Sequence, residues 1–213
     1  MKREAISRAA MTLAVALFCA VAAPAQARLD ALAELRLRNY ERAVEIALAE
    51  IAADERRIDP YIVLCRALIS LGRHEEALRF ANAARTINRH DPRIIGIFGE
   101  IYFLMGNNAD ALRYLQHYAN ISPEGGRVHE AYFFIGEIFI RTGRFRHADI
   151  ALTTAVHKSP GNAEWWARLA FARERAGDLV QAVVAYEEAL ALNPRHADAQ
   201  RGLDRARVAL AGR

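Results

Sequence analysis

The sequence predicts an all-α chain, a solenoid of stacked helix pairs with a C-terminal capping helix. The first ground is a period. Gly72, Gly106, Gly143 and Gly177 are spaced by 34, 37 and 34 residues, and Ala77, Ala111, Ala148 and Ala182 stand five residues after them. The second is apolar spacing at three- and four-residue steps on both sides of each glycine, as in Tyr132, Ile135, Gly136 and Phe139, then Ala148, Leu152, Ala155 and Val156. Such spacing marks one face of a helix. The third is composition: 53% hydrophobic and 25% charged side chains can build a core, while 12 Gly and 6 Pro in 213 residues are too few turn formers for a many-turned β-sandwich.

The chain opens with an address. Lys2, Arg3 and Arg8 precede an uncharged stretch from Ala9 to Ala27, and Ala25-Gln26-Ala27 ends it with the small-x-small pattern of a signal-peptidase site. The apolar part, Ala9 to Ala23, is shorter than the roughly 20 residues a membrane-spanning helix needs. Residues 1–27 are therefore expected to be a signal peptide, cut after Ala27 or after Ala25, and the protein to be exported to a periplasm or secreted, with an uncleaved membrane anchor as the alternative. Phe18 in front of Cys19 departs from the small residue that precedes a lipid-modified cysteine in lipoprotein signals.

Each later unit then follows one plan. A first helix ends at the glycine, which can take the left-handed conformation that stops a helix, and a second helix carries the alanine series. Pro123, Pro160 and Pro194 close three of the units. Cys65, Gly99, Gly136 and Ala170, seven residues before the glycines, are small where two paired helices would approach most closely. Ala43 extends the alanine series backwards by 34 residues, although Arg38 stands where the glycine should be. The units are a partial one at 28–57 and full ones at 58–91, 92–125, 129–162 and 163–196. Three extra residues within Glu124-Gly125-Gly126-Arg127-Val128 predict a kink before the fourth unit. In 197–213, Ala199, Leu203, Ala206 and Leu210 fall on one helical face opposite Asp198, Arg201, Asp204, Arg205 and Arg207, which is the pattern of a capping helix and tail.

The residues from Ala163-Glu164-Trp165-Trp166 through Leu169-Ala170, Gly177-Asp178, Ala182, Tyr186, Ala189 and Asn193-Pro194 resemble the tetratricopeptide repeat at nearly every signature position. Arg173 replaces a usual aromatic, and Arg89 replaces a closing proline. The resemblance implies a right-handed superhelix whose first helices line a concave groove for a partner protein or peptide. Carried over position by position, the groove residues are Ile62, Arg66 and Ile69; Glu100, Phe103 and Leu104; Phe133, Glu137, Ile140 and Arg141; and Glu164, Phe171, Glu174 and Arg175. The family's clamp for C-terminal carboxylates uses Lys and Asn at inner positions. Here Ile62, Arg66, Gly96, Glu100, Phe133 and Glu137 stand there, which excludes that subtype.

No catalytic constellation survives inspection. His129-Glu130-Ala131-Tyr132-Phe133 begins like a zinc-protease helix but has Phe133 where the second histidine must stand. Cys65 reads as a small buried hydrophobe, since a nucleophile would need an adjacent base. The two cysteines form no metal-binding spacing. The expectation is a non-enzymatic scaffold with no metal and no cofactor, binding a peptide or helix of an envelope protein. A net charge of +4 is too mild to require nucleic acid. Arg141, Arg144, Arg146 and His147 concentrate positive charge at one turn. They open a second reading, binding to a membrane surface or an anionic ligand, and self-association into a homo-oligomer is a third.

Overall fold

A computed structural model describes residues 30–212; the segment 1–27 read as a signal peptide, its two candidate cleavage sites and Cys19 lie outside them. Among the described residues there are eleven α-helices and no strand. They are α1 (Ala31–Arg36), α2 (Tyr40–Ala53), α3 (Ile58–Ser70), α4 (His74–Ile87), α5 (Pro92–Leu104), α6 (Asn108–Ile121), α7 (Val128–Arg141), α8 (Phe145–Lys158), α9 (Ala163–Ala176), α10 (Leu179–Leu192) and α11 (Ala197–Ala211).

Local chemistry sets several boundaries. Asp91 accepts a hydrogen bond from the Arg93 amide at the start of α5, with Pro92 at the first helical position. Asn107, Asn162 and Asp178 cap α6, α9 and α10 in the same way. Four of the turns within pairs run through Gly72, Gly106, Gly143 and Gly177 at φ between +71 and +88. In the N-terminal pair the same left-handed turn is forced on Arg38, at φ 65, where a side chain strains the backbone. Arg38→Gly is expected to raise the free energy of unfolding by about 1 kcal/mol, read as a higher urea midpoint at unchanged slope. No gain would mean that the bond from Arg38 Nε to Tyr40 Oη, 3.2 Å, offsets the strain.

The stacking follows from which helices touch. Within each unit the two helices pack along their length, and the second helix of a unit packs on the first helix of the next. The first helices also touch one another in succession, α1 on α3, then α5, α7, α9 and finally α11. The backbones of the second helices α2, α4, α6, α8 and α10 do not meet. Contact on one side and separation on the other makes the first-helix side concave. The residues added before α7 form a turn in which the Gly125 amide donates to the Ser122 carbonyl and the Val128 amide to that of Gly125. Past this turn α7 keeps contact with both α5 and α6.

Apolar side chains form two core clusters that meet on α5, whose Ile94, Ile97, Phe98 and Ile101 face the N-terminal cluster and whose Ile95 and Phe103 face the C-terminal one. In α11, Ala199, Leu203 and Ala206 are buried, while Asp198, Arg201, Asp204, Arg205 and Arg207 are exposed. The helix closes the last unit as a cap should.

Candidate partner-binding face

The inner face is built by the first helices, and its charges are spent on one another. Glu137 of α7 accepts two hydrogen bonds from Arg168 of α9, at 2.6 and 2.8 Å. Glu174 of α9 accepts two from Arg205 of α11, at 2.9 and 3.0 Å, and one from Tyr186 Oη at 2.6 Å. Burial pushes the Glu174 carboxyl up, but these bonds outweigh it and hold it below the usual carboxylate range. Asp59 of α3 pairs with Arg93 of α5 at 2.7 Å, and Glu164 meets His196 at 3.1 Å. Charged or polar ties thus join neighbouring first helices at the seams α3–α5, α7–α9 and α9–α11; those of Glu137 and Glu174 are partly shielded, whereas that of Asp59 with Arg93 is open to solvent.

The central seam is different. Arg127, just before α7, pairs with Glu130 and with Glu100 at 3.2 Å, whereas Arg66 reaches Glu100 only at 3.7 Å. Burial, and then repulsion from Arg127, lower the pKa of the Arg66 guanidinium, and burial raises that of Glu130. These groups border a cavity of about 250 Å³ floored by Leu115, Tyr118 and Phe134. Gly96 and Gly126, which carry no side chain, help to leave it open. A second cavity, about 290 Å³, lies between α9 and α11 beside Phe171, Arg168, Arg201 and Arg205.

The residues read as groove residues fall into three sets. Ile62 and Phe103 are each 7% exposed and belong to the core, a correction to their reading as groove anchors. Ile62 packs in the N-terminal cluster, and the Phe103 ring lies 4.7 Å from that of Phe134 with the Arg141 guanidinium 4.0 Å above it. Arg66, Glu100, Glu137 and Glu174 are partly buried and tied to neighbours as above, so they brace the seams and do not form a charged rim. Ile69, Leu104, Phe133, Ile140, Arg141, Glu164, Phe171 and Arg175 keep exposed surface. Phe133 stacks on Trp165 at 5.0 Å, and Phe171 meets Phe145 edge-on at 6.3 Å, so one side of each ring is already covered. Sequence reading missed Arg127, Glu130, Arg168 and Arg205. An opposite charge about one repeat away from Glu137 or Glu174 is the signal that would have found the last two.

At the basic turn, Arg141 donates to the Phe103 carbonyl at 3.3 Å, Arg144 lies over the Phe139 ring at 4.6 Å, and His147 lies 5.3 Å from the same ring. Arg146 is exposed. Cys65 is fully buried, its thiol facing the Ala77 carbonyl at 3.5 Å, and burial pushes its pKa up to about 12. A thiol so protonated is a packing group and not a nucleophile. Among the described residues no three His, Cys, Asp or Glu side chains converge, and no helix is long and apolar enough to cross a membrane.

Helix pairs stacked so that one helix of each lines a concave face define an α-solenoid. Residues 163–196 match the tetratricopeptide repeat family model. Over 138 residues, 65% of this chain, the sequence is 25% identical to human cilia- and flagella-associated protein 70 (Homo sapiens), a protein of which this stretch spans only 12%. The fold is similar to those of several solved structures. Against Cut9 in the Cut9–Hcn1 hetero-tetramer of the APC/C the TM-score is 0.73, at 18% identity over 83% of this chain and 34% of that one. A MamA structure gives 0.62 at 17% identity, covering 78% of this chain and 90% of that one. YrrB, described as a TPR protein with an unusual peptide-binding site, gives 0.62 at 17% identity, covering 80% and 87%. The all-helical solenoid expected from the periodicity is the fold of the described residues, and it is similar to tetratricopeptide-repeat structures.

Proposed function

We propose that this protein is an exported, non-catalytic scaffold whose concave face binds a peptide or helix of an envelope protein partner. One observation carries the reading. On an inner face whose charges mostly neutralise one another, Leu104 is 41% exposed, and Phe133, Ile140 and Phe171 remain partly exposed, Phe171 beside the cavity between α9 and α11. Apolar and aromatic surface held on a rigid, electrically quiet floor suits the anchors of a docked amphipathic segment. YrrB, a protein of similar fold described as having an unusual peptide-binding site, supports peptide binding as the use of such a fold. Export rests on the N-terminal sequence pattern of residues 1–27.

The test is site-specific photo-crosslinking in the native cell, with the reactive group at Leu104 or Phe171 and a control at Arg79 on the outer helix α4. A discrete adduct from the inner positions alone, identified by mass spectrometry as an envelope protein, is the expected result. The same smear from all three positions would overturn the groove, and a cytoplasmic adduct would overturn export.

A further inference from the structure

From α3 to α11 the arginines of the inner helices pair with carboxylates, except Arg141 and Arg175, which share one edge with two more unpaired arginines at the start of α8. Arg141, Arg144, Arg146 and Arg175 are all exposed, and among the described residues none has a carboxylate within 4 Å. They belong to one place. Arg141 and Arg175 end the inner helices α7 and α9, Arg144 and Arg146 flank Phe145 at the start of α8, and the Arg175 guanidinium lies 4.9 Å from the Phe145 ring. The nearby acids are committed: Glu174 to Arg205 and Tyr186, Asp149 to Arg173 at 2.8 Å, and Asp178 to the Gln181 amide that it caps. Aromatic rings lie against the Arg141, Arg144 and Arg175 guanidinium groups, and Arg141 also spends one N–H on the Phe103 carbonyl.

The arrangement is also unfavourable for the chain alone. The first turns of α2, α4 and α6 carry Glu41, Glu75 with Glu76, and Asp110, and α10 is capped by Asp178, whereas α8 has no acid at its cap or in its first turn and has Arg144 at its cap and Arg146 within it. Cations there oppose the positive end of the helix dipole. An incoming polyanion relieves both conflicts at once. Arg141 and Arg175 stand at the ends of inner helices, so a chain lying in the groove passes beside the patch.

We infer that this patch binds an acidic stretch of the partner chain, a run of Asp and Glu lying across the lip of the last two full units. The inference rests on the groove reading and adds the chemistry of what the groove holds. Its test uses the full chain and fluorescein-labelled decaglutamate, followed by fluorescence anisotropy at low and physiological salt. Arg146→Glu is expected to weaken binding at least tenfold while leaving the unfolding temperature unchanged or higher, which a merely structural arginine would not do. Arg79→Glu on the outer face is expected to change binding less than twofold. Absence of decaglutamate binding, or equal loss from Arg79→Glu, overturns the inference. So does co-sedimentation with phosphatidylglycerol vesicles that saturating decaglutamate fails to displace, since the patch would then serve lipid. Adducts at Leu104 and Phe171 without decaglutamate binding would leave the groove standing and remove only its acidic occupant.

Discussion

Gly99→Cys is expected to lower the stability of the array by about 2–3 kcal/mol, although glycine is the poorest helix former short of proline. A Cβ at Gly99 would stand 2.7 Å from the Leu115 side chain and 3.2 Å from the Leu115 backbone nitrogen. A rotamer change cannot clear the backbone contact, so α5 and α6 must separate. The same crowding recurs at Gly136, where a Cβ would meet Leu152 at 2.5 Å. The unit formed by α3 and α4 shows the other solution: its corresponding positions hold Cys65 and Ala81, both fully buried. Volume is therefore exchanged between the two helices of a pair. Gly99→Cys combined with Leu115→Ala copies that solution and is expected to recover more than half of the loss in urea denaturation. Strict additivity of the two destabilisations would refute the exchange.

Glu137→Ala is expected to cost about 2 kcal/mol. The Glu137 side chain is 13% exposed and that of Arg168 29%, so removing the carboxylate strands a shielded guanidinium. Replacing both partners, Glu137→Ala with Arg168→Met, is expected to restore much of the stability, because the double change leaves no charge unpaired. A single-variant cost below about 0.5 kcal/mol would assign the pair to the class of surface ion pairs that contribute little, and the seam between α7 and α9 would then rest on apolar contact alone.

Much of the fold was legible because the repeat states each position several times. Glycine before the turn, alanine after it and small residues at the close approach mean little singly, but in register they leave one arrangement. The polar face of α11 was equally plain, since a capping helix has only one side to bury. The candidate site was harder to read. Its ties run between residues 27 to 38 apart, as in Arg127 with Glu100, Glu137 with Arg168 and Arg141 with the Phe103 carbonyl. These separations depend on how far each unit is shifted and turned against the next, and the 34-residue period does not carry that offset. Charges that look like a rim for a partner were therefore braces. Phe103 was misplaced for the same reason, because what covers it, Phe134 and Arg141, comes from the following unit.

The outer helices keep their backbones apart, with only long side chains crossing between them, as where Arg85 of α4 reaches the Tyr114 hydroxyl of α6 at 3.4 Å. The inner helices meet at every seam and are pinned there. Such a body is stiff along its inner edge and compliant along its outer one, in the manner of a leaf spring. Small rotations at successive seams would add up to a change of curvature. A guest seated inside would set the bend of the whole spring, and the outer surface would register the guest's presence at a distance from it.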